Sequence, residues 1–335
     1  MAAIRNVDHL KVWQLKYWAF LTGTSSPTKK AELQAALVQG LGCIRPNTGQ
    51  RVVSVDMGIR NLAYCVVDVK PLSRIKDSSR TFTVSSWTRR DLLKPTAPEV
   101  SPLQNFASES TTTDSGEQLK RKLDTTAFTP AQLSKTAYNL VTSLLSHKPD
   151  DILIEQQRFR SGGATAIQEW TVRVNMLESM LWASLETLKA SGPAKAFFPD
   201  VHAVAPRRVA EFWLSGQHVS LMPLDNMFEA SSQKDVTAAD TKSRRPRFKI
   251  EKKEKVDLVK KWVTGTGEGT NVNLEFKGQA AHVAQAFREQ TSRSATKIAG
   301  GKLDDLADCL LQAIAHLRWE GNKRIIREML SEEPA

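Results

Sequence analysis

Five carboxylates hold the most specific chemistry in the chain. Asp56 closes the apolar run RVVSVD, Glu155 closes DILIE, and Asp304, Asp305 and Asp308 crowd into KLDDLADCLL. A carboxylate at the end of a buried strand is costly unless something pairs with it. Asp304 and Asp308 stand four apart, and Asp305 and Asp308 three apart, so on a helix either pair shares a face. Clustered carboxylates repel and raise one another's pKa. A divalent cation among them relieves that repulsion, and hard oxygen ligands with few histidines suit Mg²⁺ or Mn²⁺. Two such ions about 4 Å apart can activate a water and stabilise a leaving oxygen in phosphodiester hydrolysis. Each acid alone has a plainer role. Asp56 suits a turn, Glu155 suits a salt bridge to Arg158 or Arg160, and the DDLAD acids suit a helix N-terminus. Acids at the ends of two strands and at the start of the last helix are harder to explain that way together.

The elements that must position these acids are visible as patterns. RVVSVDMG and NLAYCVVDV flank a turn containing Gly58 and Asn61, which predicts a hairpin. TFTVSSWT (81–88) predicts a third strand. Thr129 and Pro130 are a cap and an N1 proline for a helix striped by Leu133, Ala137, Leu140 and Leu144. ILI is a short buried strand ending at Glu155. A long helix over 164–189 follows, with Ile167, Trp170, Val174, Leu177, Leu181 and Leu185 on one face. Val172, Met176 and Met180 make a second apolar face. VHAVAP (201–206) predicts a fifth strand and RRVAEFW begins a helix. KKEKVDLVKKWV is a basic helix. A last helix over 302–319 turns Leu306, Leu310, Ala313 and Leu317 toward the core. This order predicts an α/β fold with a mixed five-stranded sheet flanked by helices. Ahead of it, residues 9–42 predict two short helices, with Leu10, Trp13 and Tyr17 on one stripe and Leu33 and Leu37 on the other. Residues 94–128, rich in Pro, Ser and Thr, and the irregular segment 215–250 read as insertions.

The net charge of +11 over 335 residues, with a pI near 9.6, favours an anionic partner, and nucleic acid is the commonest. Cys43, Cys65 and Cys309 form no CxxC or Cys/His pattern and read as buried, reduced thiols. No apolar run is long enough to span a bilayer. The segment MAAIRNVDHLKVW lacks the apolar stretch of a secretory signal, and it is only weakly basic for a transit peptide.

The helix–loop–helix at 9–42, entered through Thr-Lys-Lys, resembles a SAP motif, a small DNA-binding module. Lys29 and Lys30 sit where ammonium groups and helix amides can meet a phosphate together. VDMGIRNLAY, IEQQRFRSGG and KLDDLADCLL together resemble the fungal mitochondrial Holliday junction resolvases. These are relatives of the bacterial RuvC-type enzymes in the ribonuclease H-like superfamily. The resemblance spans residues 9–320, broken at 94–128 and 215–250. It implies a SAP-like unit over 1–45 and a resolvase domain over 50–325. By motif position it makes Asp56, Glu155, Asp304 and Asp308 the metal ligands, whereas the RuvC-type spacing would choose Asp305 with Asp308. It further implies a mitochondrial homodimer that cuts four-way DNA junctions with Mg²⁺ or Mn²⁺, two ions per site, in paired symmetric cuts giving 5′-phosphate and 3′-hydroxyl ends. A two-fold dimer suits a near two-fold junction, and the face around Met176 and Met180 is the candidate dimer surface. Gln156, Gln157, Arg158, Phe159 and Arg160 would reach the junction centre, Phe159 by stacking. Arg207, Arg208, the 244–249 cluster, Lys252, Lys253 and Lys255 would contact phosphates along the arms. The alternatives are another ribonuclease H-like nuclease, acting on RNA–DNA hybrids or flaps, and a non-catalytic junction-binding protein.

Overall fold

The hairpin forms where two β-branched runs meet a tight turn. In the computed structural model, β1 (Gln50–Asp56) and β2 (Leu62–Val69) pair antiparallel, with Val55 opposite Tyr64 and Asp56 opposite Ala63. The structure describes residues 7–8, 10–42, 48–71, 80–93, 127–157, 168–193, 197–214, 252–266, 272–289 and 303–331. Cys43, Arg158, Phe159, Arg160, the segment 215–250 and all but the last two residues of 94–128 lie outside the described residues.

β3 (Thr81–Arg90) continues the antiparallel sheet beside β2. β4 (Asp151–Glu155) returns parallel to β1, with Val55 opposite Ile154. Asp56 and Glu155 therefore end neighbouring parallel strands side by side. β5 (Asp200–Val204) pairs parallel with β4. A sixth strand, β6 (Asn273–Phe276), pairs parallel with β3, so the sheet order is β5-β4-β1-β2-β3-β6. The sheet thus has one strand more than the five expected. NLEF is four residues long and half polar, too short for its alternation to stand out; only Leu274 and Phe276 reach the core.

Two helical layers cover the sheet. One face holds Val53, Val55, Tyr64, Ile152 and Ile154 under α3 (Pro130–Leu145) and α4 (Glu169–Ser191). α3 starts as its sequence dictates: the Thr129 hydroxyl accepts from the Gln132 amide, and Pro130 fills a position that needs no donor. α4 begins at Glu169, later than expected, and its buried stripe is Val174, Leu177, Leu181 and Leu185. Trp170, expected inward, is 41% exposed. The opposite face packs against α5 (Pro206–Leu214), α6 (Lys252–Thr264), α7 (Gln279–Glu289) and α8 (Asp304–Ser331). The sequence pattern did not show α7, whose inward face is mostly alanine, completed by Phe287. Cys65 and Cys309 meet in this layer as buried free thiols, and the Cys65 thiol donates to the Cys309 carbonyl at 3.3 Å. Among the described residues, no helix is long and apolar enough to cross a membrane.

α8 extends to Ser331, well past the expected end at 319, because its second half has a partner of its own. Ile326 packs into a cluster with Leu15, Trp18 and Ala19 of α1 (Val12–Leu21) and Leu33, Leu37 and Leu41 of α2 (Lys30–Gly42). Of the expected stripe, Leu10 is buried in this cluster and Tyr17 packs against it, whereas Trp13 turns outward at 48% exposure and Leu15, Trp18 and Ala19 take the inward face of α1. α1 is apolar on several sides, and packing against α2 and α8 selects which side turns in.

The turn after α1 locks this hairpin to the main body. Gly23 has φ +63°, and a Cβ there would lie 2.3 Å from the Trp319 ring. Its carbonyl accepts from Arg208 at 2.7 Å, and the Asn322 amide donates to the Leu21 carbonyl at 2.7 Å. Gly23→Ala should lose about 1–3 kcal/mol of stability in urea unfolding, from left-handed strain plus overpacking. A loss below about 0.5 kcal/mol would show that the turn shifts freely.

Candidate active site

Strand ends and one helix meet at a single cavity. Asp56 from β1, Glu155 from β4, and Asp308 and Gln312 from α8 line it, with Lys255 of α6 and the apolar rim of Val209, Ala210, Trp213, Leu214 and Leu311. Each contributor has a local cause. The parallel register of β1 and β4 sets the two strand-end acids together. α8 presents Asp308 and Gln312 one turn apart. Gln312 donates to the Ser54 hydroxyl at 3.1 Å and to the Val55 carbonyl at 3.3 Å, which fixes α8 against the end of β1. The indole of Trp213 donates to the Leu311 carbonyl at 3.0 Å and closes the apolar side.

The electrostatics are strained. Asp56 is 9% exposed. Burial pushes its pKa well above the usual aspartate range, and a hydrogen bond with Glu155 and the charges of Glu155, Asp308 and Asp305 push it further. Burial also raises Asp308, against the opposing pull of Lys255, whose ammonium lies 2.8 Å from it. Asp305 pairs with Arg89 of β3 at 3.3 Å. Asp304 pairs with Lys252 at 2.5 Å, and that bond raises the lysine pKa. Asp305 is among the charges acting on Asp56, and Asp304 is among those acting on Asp308. Each is held by a cation from another element, Asp304 by Lys252 and Asp305 by Arg89, so both stay beside the cavity as candidates for the fourth acid.

The group fits a hard divalent cation. Every anionic donor is a carboxylate oxygen, and of the described side chains lining the cavity only Lys255 is cationic. The fit has a stability signature. A folded Asp56 or Asp308 with a raised pKa holds a proton that the unfolded chain, at 3.8, has lost. The stability this gives is full below pH 3.8 and is lost as pH rises through the folded pKa values. His316 acts oppositely: burial lowers its pKa from 6.5 to about 4, so its contribution fades as pH falls across that window. Comparing Asp56→Asn with the parent protein cancels the His316 part. In chelator, the substitution should stabilise the fold relative to the parent by a margin that grows from pH 4 to pH 8. Each unit of displacement is worth about 1.4 kcal/mol. Urea melts at the two pH values measure it; an unchanged margin would mean that the carboxylates are not strained.

The other expected site residues are scattered. Lys29 is exposed and pairs with Glu32 at 3.0 Å, and the Lys30 ammonium donates to the Asp8 carbonyl at 3.3 Å. Arg207 forms an exposed pair with Glu211 at 2.7 Å. Arg208 is half-buried on the Gly23 carbonyl, where desolvation lowers its pKa. Lys252 and Lys255, expected on phosphates, pair with Asp304 and Asp308, while Lys253 is exposed on the same helix. The Gln157 amide donates to Glu178 of α4 at 3.3 Å, which anchors the chain just after Glu155. Burial raises the Glu178 pKa, and that amide bond opposes the rise. Arg89, Gln312 and Glu178 were not foreseen as site residues. Gln312 alone carried a signal, four residues past Asp308 on the same helical face.

A family model described as mitochondrial resolvase Ydc2 / RNA splicing MRS1 matches residues 52–326. The chain is 25% identical over 324 residues to "Cruciform cutting endonuclease 1, mitochondrial" of Schizosaccharomyces pombe, which spans 96% of this chain and 97% of that protein. It is 22% identical over 358 residues to the protein of the same name from Saccharomyces cerevisiae, spanning 97% of this chain and 86% of that one. The crystal structure of the yeast mitochondrial Holliday junction resolvase Ydc2 aligns with a TM-score of 0.57 at 22% identity, covering 96% and 98% of the two chains, which shows a shared fold.

Proposed function

The chain belongs to the mitochondrial resolvase Ydc2 / RNA splicing MRS1 family, and from that premise we propose that it is a mitochondrial endonuclease that resolves four-way DNA junctions by paired, metal-dependent phosphodiester hydrolysis. The observation that carries this reading is the convergence of Asp56, Glu155 and Asp308 from two strands and a helix on one cavity. The names of the relatives, cruciform cutting endonuclease and Holliday junction resolvase, supply the substrate class.

Asp56, Glu155 and Asp308, with Asp305 beside them, are enough oxygen donors for two Mg²⁺ or Mn²⁺ ions. Divalent cations bound there would lower the pKa of an attacking water and offset charge gathering at the phosphorus. The protein's own part is to hold the carboxylates in place and dry on one side. Gln312 fixes Asp308 relative to Asp56 through Ser54 and Val55. Lys255 keeps Asp308 in its rotamer, and Val209, Trp213 and Leu311 exclude water behind it. Asp56, whose pKa is raised by burial and by its neighbours' charges, must lose its proton to act as an anionic donor, so activity should rise with pH. Water attacks in line and the 3′-oxygen departs, leaving a 5′-phosphate and a 3′-hydroxyl.

The dimer places two such sites on opposing strands, with the outer face of α4 around Met176 as its surface. The α1–α2 hairpin with Lys29 and Lys30, and Arg207 and Lys253 nearer the site, meet phosphates along the arms. Gln157, Arg158, Phe159 and Arg160 meet the junction centre. The RNA splicing half of the family description favours one competing reading, a nucleic-acid-binding protein that does not cut. The full acid set weighs against it.

The test is cleavage of a labelled synthetic four-way junction in Mg²⁺, beside linear duplex and RNA–DNA hybrid. Paired symmetric cuts confined to the junction are expected. Faster cutting of the hybrid would move the protein to the ribonuclease class, and tight binding with no cut would leave only the binding role.

A further inference from the structure

At the other end of β4 lies a second cluster with a different chemistry. Asp151 opens the strand that Glu155 closes, about 13 Å away at roughly 3.3 Å per residue. Its carboxylate is 2% exposed. One oxygen is 2.7 Å from Nε2 of His202 on β5 and 4.0 Å from Nε2 of His316 on α8. The other oxygen accepts from the Gln50 side chain at 2.7 Å, which fixes the orientation of the carboxylate. The two imidazole rings are 4.9 Å apart.

His316 makes the cluster informative. It is 7% exposed, and its Nε2 has no hydrogen-bond partner although it points toward Asp151. A buried polar atom left without a partner costs about 1–3 kcal/mol, so its presence needs a reason. Burial keeps the ring neutral at pH 7, and the neutral ring is the form that ligates metals. One ligand atom from each of the three residues lies within 4.8 Å of the others. Ligand atoms around a tetrahedral Zn²⁺ sit about 3.4 Å apart, given bonds of roughly 2.1 Å. The observed spacings bracket that value, and the His202 side chain, 40% exposed, has room to turn.

We propose that Asp151, His202 and His316 form a metal site separate from the acid cavity, taking one Zn²⁺ or a similar borderline transition-metal ion. Two imidazoles and one carboxylate suit such an ion and not Mg²⁺, which takes oxygen donors. The fourth position opens to water on the His202 side. Gln50 on Asp151 is the kind of outer partner that metal-ligating carboxylates carry. The ion joins β4, β5 and α8, and two of these carry the acids of the cavity at their far ends. Its role is to clamp α8 against the sheet, not to touch the scissile phosphate.

The test uses the full chain, stripped with chelator and then equilibrated with Zn²⁺ under a large excess of Mg²⁺, with bound zinc counted by mass spectrometry. One Zn²⁺ per chain is expected in the parent protein and equally in Asp56→Asn. His202→Asn and Asp151→Asn should each weaken uptake by at least about tenfold. Co²⁺ in place of Zn²⁺ should give the visible absorption of a nitrogen-containing tetrahedral site, lost in His202→Asn. His202 sits on the half-exposed edge strand, so this variant should fold, which circular dichroism checks. A parent protein that retains no zinc overturns the proposal whatever the variants do. So does zinc lost in Asp56→Asn but kept in His202→Asn, which would place the ion among the acids. Zinc uptake does not depend on junction cutting, so failure of the nuclease reading would leave this result standing.

Discussion

Asp56→Asn should reduce junction cutting by more than about a hundredfold, since even partners one shell removed from a metal ligand are worth 10–100-fold. The asparagine keeps the shape of the side chain and removes one anionic donor from the cavity. Asp56 is where the charges of Glu155, Asp308 and Asp305 are all felt, so no neighbour can replace it. The fold should survive, because the substitution removes a carboxyl that burial and its neighbours' charges disfavour in its anionic form, and leaves the Val55–Tyr64 register untouched. Junction binding should also survive, because phosphate contacts made elsewhere dominate affinity for DNA. Asp305→Asn and Asp304→Asn test the two remaining helix acids: Asp305 acts on Asp56 and Asp304 on Asp308, and the larger loss of cutting identifies the fourth acid. Gel assays of cutting and binding with the three variants settle the matter. Residual cutting by Asp56→Asn within about tenfold of the parent would remove Asp56 from the catalytic set.

The parts of this arrangement written locally in the chain were legible in the sequence. The hairpin of β1 and β2 follows from two β-branched runs and a turn, and the start of α3 from Thr129 and Pro130. Strand-end acids were legible because charge beside an apolar run is conspicuous. The cations that hold Asp304 and Asp305 were not, because both spacings fit one helix face and Lys252 and Arg89 come from other elements. β6 and α7 escaped because a four-residue strand and an alanine-rich helix carry little periodic signal. The inward side of α1 depends on where α8 ends, and the docking of α1 and α2 carries α8 to Ser331. Asp151, His202 and His316 are single residues far apart in the chain, and only the register of β4 with β5 and the path of α8 bring them together.

Trp87→Ala should destabilise the protein by about 3–5 kcal/mol, the range for deleting a buried aromatic ring. Trp87 is fully buried on β3. Its ring stacks on Phe287 of α7 at 4.8 Å and on Phe276 of β6 at 5.8 Å. Its indole donates to the Leu306 carbonyl at 2.9 Å. Leu306 lies one residue after Asp305, and Arg89, two residues along the same face of β3, pairs with Asp305. One face of β3 therefore sets the start of α8 twice, by packing and by charge. Removing the indole leaves a cavity under that helix start and a buried carbonyl without its donor. Cutting should then fall even at temperatures where the variant is fully folded, because Asp305 and Asp308 lose their fixed distance from Asp56. Trp87→Phe separates the two causes. It keeps most of the stacking and loses only the hydrogen bond, so its stability should lie between the other two, nearer the parent. Urea unfolding followed by tryptophan-independent circular dichroism, with cutting assayed well below both midpoints, measures each part. A Trp87→Ala loss under about 1 kcal/mol would mean that α7 and α8 close over the space, and that the helix start is held by Arg89 alone.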